Sequence, residues 1–334
     1  MTSSNHRPPP YRRRIIGLGI AVVLAVAAWT GAWFWLAGQA TGSAVRAMEN
    51  ARADGRELSC ENVEARGYPF RLGLFCDAVA VRMPREGIVA GAGALRSAAQ
   101  VYAPGHVVAE LDGPAVLETP DILPLQLDWE QLRASLRHDM GQPERLSAES
   151  RNLKIALRQA GEDNAPLAAM HDGEVHARLN GPALDLAAAL NGIALADPRY
   201  ADIPEAELVM DATLPGGAAL VDGTSPNGFT IRGQAVELKV LTLSLPARNA
   251  SVSLSGNLVV GDDGLIDGSV EIRMTNPQAF ADAAAVALPD AKDDLAPLVK
   301  GLTALGETGV PVTLTIRRGR VSAGLIPLGE LPPL

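Results

Sequence analysis

Cys60 and Cys76 are the only cysteines of the 334-residue chain. They stand at the two ends of the stretch CENVEARGYPFRLGLFC, with Gly67-Tyr68-Pro69 at its centre. Paired cysteines serve metal binding, redox exchange or a structural crosslink. Two thiolates alone make a poor zinc site, and the chain has no C-x-x-C pair. A tight loop at Gly67-Tyr68-Pro69 would set Arg66 opposite Phe70, Glu64 opposite Leu72, Asn62 opposite Leu74 and Cys60 opposite Cys76. All four pairs would share one face, because side chains alternate along strands. Opposed Cα atoms in such a pair lie about 4.5 Å apart, within reach of a disulfide. The expectation is a structural Cys60–Cys76 disulfide, which requires an oxidising compartment.

Other residues that could do chemistry lack the company it requires. His171 and His176 bracket the acidic stretch HDGEVH. A spacing of five points two rings to opposite faces of a strand, and Asp172-Gly173 reads as a turn. A surface hairpin is therefore expected there rather than a metal site. His106 and His138 have no recognisable partners in the sequence. GDDGLIDG, residues 261–268, offers three aspartates but lacks the spaced ligands and closing glutamate of an EF-hand. It reads as a solvated turn. No G-x-S-x-G, Walker loop or H-E-x-x-H occurs, and Gly17-Leu18-Gly19 follows no strand. The reading is non-catalytic, with no cofactor and no metal ligand.

The compartment is set by the first forty residues. Residues 15–37, IIGLGIAVVLAVAAWTGAWFWLA, carry no charge. A helix of that length spans roughly 34 Å, enough for the hydrocarbon of a bilayer. Arg7, Arg12, Arg13 and Arg14 precede it without an acid. Such a cluster stays cytoplasmic, so residues 1–14 read as a basic tail and the chain beyond residue 37 as exported. Trp29, Trp33, Phe34 and Trp35 gather at the far end, where aromatic rings favour the interface. A cleaved signal ending near residues 37–40 competes with this reading, as does a twin-arginine signal whose flanking residues fit poorly. Signal cores are usually shorter, about 7–15 residues, so an uncleaved anchor in a bacterial inner membrane is favoured.

Charge and aromatic content narrow the partners. The chain carries a net −9, and residues 38–334 carry −13 once the four N-terminal arginines are set aside. That disfavours nucleic acid and anionic lipid surfaces as partners through charge alone. Beyond the anchor only Trp129, four phenylalanines and three tyrosines remain, too few for a base- or sugar-stacking platform.

Three stretches carry a resemblance: RGYPFRLGLFCD from Arg66, Tyr102-Ala103-Pro104-Gly105-His106 with Leu111-Asp112-Gly113-Pro114, and the closing GRVSAGLIPLGELPPL from Gly319. They are similar to a proteobacterial family described as domain of unknown function 2125, over most of residues 56–334. The resemblance implies an anchored envelope protein and carries over no catalytic residue.

The elements are predicted from periodicity. Residues 38–56 are polar and helix-compatible, and read as a stalk. Leu123, Leu125, Leu127 and Trp129 alternate as in a strand, as do Leu153, Ile155 and Leu157. Residues 130–138 suit a short helix, and 183–190 fit helix or strand. Ala250, Val252, Leu254, Leu258 and Val260 share one side opposite serines, and Val270, Ile272 and Met274 alternate likewise. Asn276-Pro277 opens an Ala-rich helix to about residue 288, and a second is predicted over 292–305. Val312, Leu314 and Ile316 pair back with Val321, Ala323 and Leu325. The predicted fold is mainly β within the α+β class. It has antiparallel meander sheets and a few helices over 57–334, with room for two subdomains, after one transmembrane helix.

A meander with one apolar face must bury it. Either the predicted helices cover it as an ordinary core, or part stays open as a groove for lipid or another apolar ligand in the cell envelope. The alternative function is an interaction scaffold whose acidic surface recruits an envelope protein. An enzyme ranks last.

Overall fold

The computed structural model describes residues 10–120, 122–139, 142–159, 163–221, 231–287 and 311–334. It begins with α1 (Pro10–Ala53), 44 residues, or roughly 66 Å at 1.5 Å per residue. Pro10 suits a first helical turn, and no other proline interrupts. Gly55, at φ 79°, ends the helix in the left-handed conformation. The Gly55 and Arg56 amides close back on the Arg52 and Ala51 carbonyls. The segment expected as a stalk is thus helical to Ala53, and it lies against the first strands of the sheet.

The rest is a single sheet in which every pairing among the described residues is antiparallel. Its first strands are β1 (Glu57–Cys60), β2 (Glu64–Arg66), β3 (Arg71–Cys76), β4 (Val79–Met83), β5 (Ile88–Ala92) and β6 (Leu95–Gln100). Next come β7 (Ala103–Leu111), β8 (Ala115–Glu118), β9 (Leu125–Asp128), β10 (Gln131–Asp139) and β11 (Gln142–Leu157). The long central strands are β12 (Ala165–Asn180), β13 (Ala183–Leu195), β14 (Ala206–Leu214), β15 (Ala235–Leu245), β16 (Ala250–Val260) and β17 (Ile266–Thr275). β18 (Val312–Arg317), β19 (Arg320–Ala323) and β20 (Ile326–Glu330) finish the sheet. Two more helices are α2 (Ala218–Val221) and α3 (Pro277–Ala287).

The apparent complexity of the first eleven strands resolves into one meander. β3 and β4 together face β6 and β5, since Cys76 pairs with Leu95 and Val79 with Ala92. β7 and β8 likewise face β10 and β9, and β11 is long enough to pair with both of those. The breaks line up from strand to strand: Asp77-Ala78, Gly93-Ala94, Asp112-Gly113-Pro114, Trp129-Glu130 and Asn152. Backbone bonds bridge them, Asp77 to Glu61, Gly93 to Asp112 and Glu130 to Arg151. Asn152, at φ 50°, marks the break in β11 without shifting its register against β12. Arg151 and Asn152 are both exposed, after which Leu153, Ile155 and Leu157 take the inward positions.

Cys60 and Cys76 are joined, with Cα atoms 5.2 Å apart. The expected register is corrected. Glu64 faces Phe75 and Arg66 faces Gly73, a slip of three residues, and Cys60 faces Val79. The disulfide is a diagonal between β1 and β3. The loop spans Gly67 to Leu72, closed by the Arg71 amide on the Gly67 carbonyl at 2.9 Å. It is wider than a three-residue turn because Tyr68 and the Pro69 and Arg71 carbonyls dock on α1, as described below.

Three other expectations change. Residues 131–138 lie in β10, wedged between β7 and β11, after a break at Glu130. Their good helix formers are overridden because Leu132, Ala134 and Leu136 alternate, Ala134 and Leu136 finding apolar partners on both sides and Leu132 on the β7 side. The HDGEVH stretch is no hairpin: β12 runs straight through it, with Asp172 and Gly173 paired to Arg151 and Ser150. Residues 183–190 are strand. α3 starts at Pro277, but Asn276 sits at φ 49° and its amide donates to the Arg248 carbonyl at 2.9 Å. The helix predicted over 292–305 lies outside the described residues.

The best-packed part is the last third. Val270, Ile272, Leu314 and Ile316 are buried, with Leu254, Leu258 and Val321 against them. Elsewhere the apolar face is half-buried, and among the described residues no side chain is fully buried. Leu314→Ala should destabilise the chain by about 2–4 kcal/mol. Leu146→Ala, at a residue 49% exposed, should cost much less in the same denaturant series. Replacing both cysteines by serine should remove about 3 kcal/mol, by the loop-entropy model for a short crosslinked loop. An unchanged unfolding midpoint in the full chain would show that the bond adds nothing.

Candidate functional site

The loop between β2 and β3 is held against α1 by three hydrogen bonds. The Trp29 indole donates to the Pro69 carbonyl at 3.0 Å, and the Trp33 indole to the Arg71 carbonyl at 2.8 Å. The Thr30 and Tyr68 hydroxyls lie 2.8 Å apart. Tyr68 stacks on Phe34 and meets Trp33 edge-on, with ring centroids 5.5 Å apart for the second pair. Trp33 is only 5% exposed, so the helix and the sheet share a buried contact at this level. Gly73, in the same motif, lies where a Cβ would overlap the Ser97 carbonyl oxygen, so β3 and β6 approach closely only with glycine there.

From this junction an apolar track crosses the sheet. Leu72 faces Ala99, which faces Val107, which faces Leu136. The row continues through Leu146, Ala177, Leu186 and Ala212. It ends with Leu238, Gly256, Val270 and Leu314. Twelve strands contribute one residue each, none of them polar. At about 4.8 Å per strand the row measures roughly 50 Å. The row beside it changes size along its length. Ala109, Ala134, Ala148 and Ala188 occupy four of its positions on the anchor side. Met210, Leu241, Leu254 and Ile272 fill it on the far side. Large side chains pack one half into a core. The small ones of the other half leave room, and Leu146 and Val175 are 49% and 47% exposed.

One residue over, the opposite face is polar: Arg145, Arg178, Asp185, Thr213 and Glu237 stand in one row. A shallow depression of about 350 Å³ lies there, lined by Arg145, His176, Arg178, Asp185, Asp211 and Lys239. Its acids are already matched, Asp185 with Arg178 at 2.8 Å and Asp211 with Lys239 at 3.3 Å. His176 is bonded to Ser147, and the His171 ring lies near Glu205. The two imidazoles do not share a site. His106 lies in β7 facing Arg137, and His138 in β10 facing Pro143. In the 261–268 turn, Asp263 accepts from the Leu265 amide and from Arg318. Among the described residues no group of three His, Cys, Asp or Glu could hold a metal ion.

A family model described as an uncharacterized protein conserved in bacteria (DUF2125) matches residues 33–332. The chain belongs to this family. The DUF2125 match begins at Trp33, the helix residue whose indole is buried against the hairpin. It therefore takes in the end of the apolar helix together with the whole sheet. No curated protein and no solved structure matches the chain. Tyr68, Pro69 and Arg71, inside the span matched by DUF2125, make the helix junction, a role that periodicity could not reveal.

The turn motif Asp112-Gly113-Pro114 is fixed electrostatically. Arg96 grips both Asp112 oxygens, the Nη1 bond being 2.7 Å. The guanidinium holds the Asp112 carboxyl below its ordinary range, opposed in part by desolvation. A lowered folded pKa gives stability that is present above the unfolded value, about 3.9, and lost as pH falls through the folded one. Both side chains are substantially exposed, so the contribution is modest. Asp112→Asn should flatten the loss of stability on acidification below about pH 4. Matching acid limbs for parent and variant would remove Asp112 from the account.

Proposed function

We propose that the chain is a single-pass protein of the bacterial inner membrane whose periplasmic sheet holds an acyl chain against its apolar face. The basic tail lies in the cytoplasm, and the work is binding or relay rather than catalysis. One observation carries this reading: the unbroken apolar row that starts at Leu72, beside the junction with α1, and runs through the Ala-rich half of the sheet. α1 is long and apolar enough to cross a membrane. The arginines before it favour a cytoplasmic N-terminus, and a disulfide suits an exported sheet.

The energetics fit a relay. Taking an acyl chain from water gains about 0.8 kcal/mol per methylene, about 12 kcal/mol for fifteen. Association costs of about 4–15 kcal/mol absorb much of that. Between a bilayer and an apolar sheet the hydrocarbon term nearly cancels, so lipid can enter and leave without being trapped.

The test is photocrosslinking in cells. A photoreactive residue at Val175, on the apolar face, should yield a lipid adduct, identified by mass spectrometry after organic extraction. The same residue at Glu174, on the polar face, should not. A protein adduct at Val175 with no lipid would favour a scaffold. A reporter active only outside the cytoplasm, fused after Leu334, should be active; silence would reverse the orientation.

A further inference from the structure

We infer that the hairpin tip at residues 68–70 and the adjacent turn at 101–102 are seated in the headgroup region of the bilayer, so that the sheet stands directly on the membrane. This rests on α1 spanning that bilayer. The level is set along the helix. Trp33 is nineteen residues beyond Arg14, which is about 28 Å of helix. The hydrocarbon of a bilayer is about 30 Å thick. Any loop hydrogen-bonded to Trp29 and Trp33 is therefore at or just inside the far boundary, and the Pro69 and Arg71 carbonyls are so bonded.

The surface at this level is what a headgroup boundary accepts. Phe70 is 62% exposed and Tyr102 71%. The two tips are tied together by the Val101 amide on the Phe70 carbonyl at 3.0 Å. Phe34 and Trp35 are exposed beside them on α1. Aromatic rings with a polar edge are favoured at such boundaries. The charge agrees. Residues 65–76 and 95–109 contain no acid, in a region whose net charge is −13. Arg66 is paired with Glu64 and Arg96 with Asp112, so Arg71 is the arginine of these stretches that faces phosphates without an ion pair among the described residues. Acids are absent from the part that would meet phosphates. The apolar row begins at Leu72, next to Arg71, so its first residue would lie where an acyl chain leaves the bilayer.

The full chain, reconstituted in nanodiscs of phosphatidylcholine and phosphatidylglycerol, gives the test. A polarity-sensitive fluorophore is attached singly at Phe70→Cys, Tyr102→Cys, Leu24→Cys or Leu325→Cys, the native cysteines staying joined. Lipids bearing a shallow nitroxide serve as quenchers for the labels at 70, 102 and 325, and lipids bearing a nitroxide near the acyl terminus for the label at 24, which lies about 15 Å along the helix from Arg14. Labels at 70 and 102 should be blue-shifted and quenched several-fold more than the label at 325, which is fully exposed on the β19–β20 turn. A quenched label at 24 with unquenched labels at 70 and 102 would leave the span standing and overturn the seating. An unquenched label at 24 would overturn the span, and the seating with it.

Discussion

Backbone register between antiparallel neighbours is the constraint on which this structure depends. Side chains alternate at every residue, so a slip of one position would turn an entire strand inside out. From Leu72 to Leu314 twelve strands keep their apolar residues in line without one polar interruption. At the aligned breaks near Asp77, Gly93, Asp112, Trp129 and Asn152 the register shifts by one residue between β5–β6 and β7–β8 and between β7–β8 and β9–β10, and is unchanged at the other two interfaces. A single layer ordered in this way has one oily face and one face of matched ions, such as Arg178 with Asp185. It needs no internal polar network, and among the described residues no polar side chain is buried.

Side-chain volume then divides the oily face. Where leucine, isoleucine and valine meet, between β14 and β18, they fill the space and form the buried cluster around Val270 and Leu314. Where alanine recurs, between β7 and β13, the same geometry leaves neighbouring leucines and valines half-exposed. The two halves differ in filling and not in fold. A packed core and a half-exposed stretch coexist on one surface, the half-exposed stretch lying on the side of the sheet nearer α1.

The junction with α1 couples sheet and helix. Indole donors on the helix meet backbone carbonyls in the hairpin, and aromatic rings cover those bonds. The loop gives up a tight turn to make them. That choice moves the register of β2 against β3 and turns the Cys60–Cys76 bond into a diagonal. A local feature, the disulfide, thus takes its geometry from a contact with residues some forty positions earlier.

Much of this was legible in the sequence. The uncharged segment before Ala37, the alternation in β16 to β19, the cysteine pair and the lack of metal or nucleotide motifs all follow from residue type and spacing. Residue type did not reveal the strand at 131–138, whose helix formers are captured by two flanking strands, or the uninterrupted course of β12 through Asp172-Gly173. It pointed to a hairpin register three residues away from the one formed, and was silent on the continuity of the apolar row and the partnership of Tyr68 with the helix. The physical reason is the same in each case. Periodicity records which side of an element is apolar, since that depends only on the side chains in it. Which neighbour lies opposite is decided by backbone hydrogen bonds common to all residues, and by distant side chains that arrive only when the chain has folded.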